Sequence, residues 1–328
     1  MFSGDGYLYG RAHGIIGKVL TRSQINFLLS SSNLKELQAA FRQTQYGPIV
    51  QDINFVTEMP EVAKQLKNHF SQTVSTFYKQ GSSRAKKIID LHSQRFHAEN
   101  IRYILRGLFM KQPHEEIIER ISPVGRYSYE YYEKVLSSSL SIADIIKSEK
   151  IQTFKQLLEQ GYSEFQKTGR FVPVDAAIDQ FEYYILPIIS REFDVYVNLK
   201  NIIWVCRCIN LGIAPYRYIK PTTFIAKALE SNSIPEVLSM YNFGIYKRIF
   251  ADYMGKDDSP LHDIEFAVER FQIKKWKKIF RQKSSTDLKI LIAFFEMKYA
   301  EISDLIRIIV GINAGFSQEE IEKSFLFY

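Results

Sequence analysis

Three stretches of the chain carry one arrangement of apolar and polar positions. In "NIRYILRGLFMKQPHEEI" (Asn100 to Ile117), Ile101, Ile104, Leu105 and Leu108 fall at i, i+3, i+4 and i+7. "NIIWVCRCINLGIAP" (Asn201 to Pro215) has Ile202, Val205, Cys206 and Ile209 in the same places, and "DLIRIIVGINAGFSQEEI" (Asp304 to Ile321) has Leu305, Ile308, Ile309 and Ile312. That spacing predicts an apolar stripe along an α-helix in each stretch. A polar residue opens each copy (Asn100, Asn201, Asp304), and a small one follows at Gly107, Cys208 and Gly311. Glu115-Glu116-Ile117 aligns without a gap on Glu319-Glu320-Ile321. Arg106 and Arg207 match where the third copy has Val310; Gly212 and Gly315 match where the first has Lys111.

The offsets between copies are 101 and 103 residues, so the chain reads as three modules of similar length, 1–125, 126–220 and 221–328. Each also holds two short helical segments about a polar break, with Leu34/Leu37, Phe154/Leu157 and Ile234/Val237 as equivalent apolar pairs. Asn33 and Ser233 stand where a side-chain oxygen caps a helix. Longer helical runs start from Glu61, Asp175 and His262, punctuated by Pro60, Gly81-Ser82-Ser83, Pro173 and Pro260. No useful length of strand-like alternation occurs, which predicts an all-α fold. A period near 100 residues exceeds that of a stacked solenoid, so the expected arrangement is three modules around a pseudo-three-fold axis.

Composition changes this picture little. The chain has 328 residues, 46% hydrophobic and 24% charged, which is ordinary for a globular protein. No uninterrupted apolar run is long enough to span a bilayer, and "MFSGDGYLYGRAHG" lacks the apolar core of a secretory signal. Cys206 and Cys208 stand two apart in an apolar helical stretch with no second pair, which argues against zinc and a disulfide framework and fits a reducing cytosol. A net charge of +7 permits acidic partners or anionic headgroups without demanding nucleic acid.

Candidate chemistry is sparse. "GRAHGIIGK" (Gly10 to Lys18) ends in Gly-Lys, but Ala12 and Val19 stand where a phosphate loop needs glycine and a hydroxyl, and no strand precedes it. Its glycines are read as permitting a close helix contact. His92 and His97 are five apart, about 140° round a helix, so they do not share one metal. "DAAID" (Asp175 to Asp179) and "DDSPLHD" (Asp257 to Asp263) read as acidic helix starts facing the positive dipole end; the second has Leu261 where a diphosphate-binding helix needs aspartate. No cofactor, metal or catalytic grouping is expected. In "RFQIKKWKKIFRQK" (Arg270 to Lys283), Lys274, Lys277, Lys278 and Arg281 share one broad face, while Trp276, Ile279 and Phe280 lie on another.

The chain resembles the C subunit family of the archaeal A-type ATPases, whose vacuolar-type equivalent is known as the d subunit. The resemblance is clearest in "GYLYGRAHGIIGKVLTRSQINFLLSSSNLKELQAAFRQTQYGPIV" (Gly6 to Val50), in "IIDLHSQRFHAENIRYILRG" (Ile88 to Gly107) and in the closing "AFFEMKYAEISDLIRIIVGINAGFSQEEI". Lys111 for glycine, Val310 for arginine and Asp304 for asparagine depart from the pattern. The resemblance implies a non-enzymatic, funnel-shaped rotor component of a rotary ion-pumping ATPase, peripheral on the cytoplasmic face of the membrane. Its cavity would receive the D and F subunits of the central stalk, and its narrow side would sit on the proteolipid ring. The repeated apolar residues are then scaffold, and the candidates for partner contact are Arg11, Tyr46, Arg106, Arg207, Lys274, Lys277, Lys278 and Arg281. The competing reading is a freestanding helical scaffold that binds acidic protein surfaces or nucleic acid. An all-α lyase is a distant third, because its acidic motif is incomplete.

Overall fold

The computed structural model describes residues 4–125, 127–138, 141–214, 224–256, 261–282 and 288–328. Among them the chain forms α-helices and short 3-10 turns with no strand, so the fold is all-α, as the periodicity predicts. In chain order the helices are α1 (Gly4–Ile16), α2 (Arg22–Leu29), α3 (Leu34–Arg42), α4 (Gly47–Val50), α5 (Met59–Gln80), α6 (Ser83–Phe109) and α7 (His114–Arg120). There follow α8 (Tyr129–Ser138), α9 (Ile142–Ser148), α10 (Gln152–Thr168), α11 (Val172–Ile189), α12 (Asp194–Asn210) and α13 (Ile234–Met240). The last are α14 (Gly244–Phe250), α15 (Leu261–Gln282), α16 (Lys289–Asn313) and α17 (Gln318–Lys323).

The chain divides into two compact units. Unit 1 comprises Met1–Asn100, Pro113–Tyr132 and Ile273–Tyr328; unit 2 comprises Ile101–Gln112 and Glu133–Gln272. In unit 1, α5 buries Val62, Leu66, Phe70, Val74 and Phe77, a stripe recurring every three to four residues. Its neighbour α16 is buried on nearly every side, the mark of a helix enclosed by others. Caps form where the sequence places them: Asn33 accepts from the backbone N–H of Lys35 and Glu36, and Ser233 from that of Glu236.

The repeated stretches become the C-terminal halves of α6, α12 and α16. In every copy the first three stripe residues are buried and the fourth half-buried: Leu108, Ile209 and Ile312. Each helix then stops in the same way. Lys111, Gly212 and Gly315 take φ of 55°, 61° and 75°. The next backbone N–H, of Gln112, Ile213 or Phe316, donates back to the carbonyl of Gly107, Cys208 or Gly311 at 2.9 Å. This is the Schellman stop, in which a left-handed residue lets the chain satisfy its orphan carbonyls. Lys111 is the one non-glycine residue at positive φ among the described residues. The departure seen in the sequence therefore leaves the backbone unchanged.

The polar leaders have a shared task. Asn100 bonds both ways to the backbone of Ser122, at 2.9 Å each. Asp304 accepts from the backbone N–H of Leu326 at 2.9 Å and of Phe327 at 2.7 Å. In both copies the first residue held lies 22 positions onward; the counterpart for Asn201, Thr223, lies outside the described residues. Ile117 and Ile321 are both buried, and a Cβ added to Gly311 would come within 2.6 Å of Ile321. The small residue thus admits the helix that follows the stop.

One expectation is corrected. Gly10 and Gly14 lie within α1, and a Cβ at either would meet open space, so no close helix contact requires them.

Candidate functional site

In unit 2 carboxylates join successive copies of the long helices. Arg106 of α6 donates from Nε to Asp175 of α11 at 2.9 Å, and Arg102, one turn earlier, donates to Asp179. Arg207 of α12 donates from Nε to Glu265 of α15 at 2.7 Å. Lys200 of α12 donates to Glu269 at 3.0 Å, and Tyr196 donates to the same carboxylate at 2.8 Å. The two joints are alike: Asp175/Asp179 of α11 and Glu265/Glu269 of α15 are i, i+4 pairs, and each faces basic residues on the long helix that carries the preceding copy of the repeated stretch. Asp179 also accepts from the Trp204 indole and is buried. Burial would raise its pKa, but Arg102 and then Lys200 outweigh it and hold the carboxyl below its usual range.

The joint in unit 1, α16 on α5, is aromatic. Phe77 stacks on Phe294 with centroids 4.9 Å apart and meets Phe295 edge-on at 5.6 Å, and Phe70 lies 5.6 Å from Tyr299. Beside it, Glu296 accepts from Arg95 at 2.7 Å and bonds His92 at 2.8 Å. Burial works against the Glu296 charge, yet Arg95 and His92 hold its pKa down to about 2. His97 bonds the Tyr132 hydroxyl instead, at 3.0 Å. The two histidines serve separate contacts.

The candidate contact residues separate into groups. Tyr46 has no exposed surface. Its hydroxyl accepts from Lys298 at 2.6 Å, and Lys298 in turn pairs with the buried Glu301 at 2.9 Å. That network pushes the nearby His69 imidazole down to about 4, by burial first and then by the Lys298 charge. Arg207 is largely committed to its carboxylates, with its side chain 31% exposed, whereas Arg106 remains 48% exposed beyond its single partner. Arg11 donates to Tyr7 at 3.1 Å and to Gln80 at 3.3 Å. Lys274, Lys278 and Arg281 are exposed. Lys277 instead turns in, donating to the Phe327 carbonyl and lying 3.8 Å from the ring centroid of Phe327. Trp276, Ile279 and Phe280 are buried on the opposite side, as the helical spacing predicts.

Asp179, Glu265, Glu269 and Glu296 are missing from the sequence-based candidates. A signal for three of them exists: the i, i+4 acids recur 90 residues apart, each pair shortly after a proline. Taken singly, Asp175 and Asp179 look like dipole caps; Asp257 to Pro260 lie outside the described residues. Among the described residues no group of His, Cys, Asp or Glu is arranged to hold a metal ion, and no helix is long and apolar enough to cross a membrane. Burial pushes the Cys206 thiol up to about 12 and the Cys208 thiol up to about 11, away from nucleophilic use.

Comparison with known proteins places the sequence in a family. The family model described as ATP synthase (C/AC39) subunit matches residues 8–324. The A-type ATP synthase C subunit of Methanocaldococcus jannaschii is 21% identical over 340 aligned positions, covering 96% of this chain and 84% of that protein. Its counterpart from Methanosphaera stadtmanae, also an A-type ATP synthase C subunit, is 23% identical, covering 95% and 84% respectively. With a family match running through all three helix-and-stop copies, the chain belongs to the ATP synthase (C/AC39) subunit family.

Proposed function

We propose that this chain is a non-catalytic adaptor in the central rotor of a rotary ion-translocating ATPase. It joins the D and F subunits of the central stalk to the proteolipid ring on the cytoplasmic face of the membrane, and it passes torque between them. The observation that carries the reading is the family match across three copies of one helix-and-stop unit. Three modules, 1–125, 126–220 and 221–328, arranged about a pseudo-three-fold axis, would give a funnel for the stalk.

The order of the joints supports such a closure. The helix carrying the first copy of the repeated stretch meets a helix of the second module, α6 on α11; that carrying the second meets a helix of the third, α12 on α15; and that carrying the third meets a helix of the first, α16 on α5. Cyclic order is what closure of a ring requires. Close-packed helices also deform little, which suits a part that transmits load. Arg106, Arg11 and the exposed Lys274, Lys278 and Arg281 are the surface candidates for partner contact; Arg207 and Tyr46 serve the interior.

The test is co-purification of the native chain. Recovery with the D and F stalk subunits and a proteolipid ring is expected. Recovery with none of these, together with salt-sensitive retention of DNA or RNA, would replace the reading by a freestanding basic scaffold.

A further inference from the structure

Most of the net positive charge falls on unit 1, and much of that on one set of elements. The α5–α6 turn carries Lys79, Arg84, Lys86 and Lys87, and the end of α15 carries Lys274, Lys278 and Arg281. Helix α1, with Arg11 and followed by Lys18, touches both. Arg11 reaches Gln80, Leu8 packs at Gly81, and the His13 ring lies 4.3 Å from that of Phe280. Over residues 4–18, 70–89 and 273–282 the acidic complement is Asp5 alone. Lys79, Arg84, Lys87, Lys274, Lys278 and Arg281 make no ion pair among the described residues, and all six are exposed.

Two classes of acidic surface could meet these cations. A protein partner would bury an apolar or aromatic centre, and interface centres are poor in lysine. Among the described residues this face offers no such centre. Its exposed large hydrophobic side chains are Tyr7 and Tyr78, 50% and 38% exposed. Both carry a polar tip beside a cation: Arg11 donates to the Tyr7 hydroxyl, and Lys86 lies 5.8 Å from the centre of the Tyr78 ring. Lysines with flexible stems and amphipathic tyrosines at the rim are the composition that suits an anionic lipid surface.

We propose that the face of unit 1 formed by α1, the α5–α6 turn and the end of α15 binds anionic phospholipid headgroups, with Lys79, Arg84, Lys87, Lys274, Lys278 and Arg281 as the contacting cations. This goes beyond the rotor reading and needs neither stalk nor ring.

The test is sedimentation of the full chain with vesicles of phosphatidylcholine alone or of phosphatidylcholine mixed with phosphatidylglycerol. Binding is expected only to the mixed vesicles, and it should weaken as salt shortens the Debye length. Lys274→Gln/Lys278→Gln and, separately, Arg84→Gln/Lys87→Gln should each lower the partition coefficient, by about fivefold per cation removed. Both variants should keep the helicity and melting temperature of the parent. Lys247→Gln/Arg248→Gln, two exposed cations of unit 2, should leave binding unchanged. Millimolar inorganic phosphate should not displace the chain from the vesicles; displacement would mean a discrete phosphate site and overturn the lipid surface. So would equal retention on phosphatidylcholine, no retention on mixed vesicles at low salt, or an equal loss in the unit 2 variant.

Discussion

Helix α16 lies on α5 through rings, Phe77 on Phe294 and Phe295, whereas α6 meets α11 and α12 meets α15 through carboxylates set one turn apart. The rings of unit 1 are attracted over a range of angles and are indifferent to charge. The ion pairs of unit 2 demand a fixed register, because a carboxylate displaced by one residue along the helix loses its guanidinium. The aromatic joint is thus a broad contact and the ionic joints are keyed ones, although the helices they connect come from one repeated pattern. Surface positions diverge in parallel. Aligning Asp175 with Glu265 puts Tyr184 and Ile188 of α11 where α15 has Lys274 and Lys278, and all four are exposed. The copies kept their interior stripe and stop while their joints and outer faces took on different chemistry.

Removing one partner from each kind of joint gives the largest effects and tests the distinction. Asp179→Ala leaves Arg102 and the Trp204 indole facing a void, and breaking a buried pair in this way costs about 3–5 kcal/mol. Phe77→Ala costs a similar ~3–5 kcal/mol through its cavity. The difference shows in the pH dependence of denaturant unfolding. The Asp179 carboxyl is held below its usual range, so what it contributes is present at neutral pH and lost as pH falls through its folded pKa. The penalty of Asp179→Ala should therefore shrink in acid, while that of Phe77→Ala stays level. Equal pH profiles would erase the contrast between keyed and broad joints.

Glu296 sharpens the comparison, because it places one charged contact beside the aromatic joint. Its folded pKa of about 2 lies below the ordinary 4.5. The stability it adds is complete above about pH 4.5 and fades as pH falls towards 2, a loss of about 3 kcal/mol by linkage. Glu296→Gln should flatten that acid limb of the stability curve. An unaltered limb in the variant would show that other carboxylates govern acid unfolding of unit 1.

The all-α class, the stripe burial and the caps at Asn33 and Ser233 were legible because each depends on neighbours within a few positions. The joints were not. Asp175 and Asp179 near a helix start satisfy a dipole argument by themselves, and only their distant partners Arg106 and Arg102 reveal the other use. Tyr46 was misleading for the same reason: its buried acceptor role exists because Lys298 arrives from α16, 252 positions away. Lys277 shows the limit of face-counting. Helical spacing groups it with Lys274 and Lys278, yet the Phe327 ring and carbonyl draw it inward.

The helix stops allow a smaller contrast between the units. Gly311→Ala in unit 1 would press a methyl within 2.6 Å of Ile321, and overpacking of this kind costs about 1–3 kcal/mol. A thermal melt of the variant, with Ile321→Val as a partial rescue, reads the clash directly. An unshifted melt would mean that the helix after the stop is free to move away.

The left-handed position itself gives the smallest and most discriminating effect. Unit 1 places Gly315 there, and unit 2 has both versions of the turn, Gly212 and Lys111. A side chain in the left-handed region carries about 1 kcal/mol of strain that glycine avoids, offset in part by the extra freedom glycine has in the unfolded chain. Gly212→Ala and Gly315→Ala should each lower stability by about 1 kcal/mol. Lys111→Gly should raise it by a few tenths to about 1 kcal/mol. Opposite signs at equivalent positions are the signature of one shared stop. If Lys111→Gly also destabilised the chain, the lysine side chain would be supplying an interaction that outweighs its strain, and the first copy would owe its turn to something other than the repeated backbone.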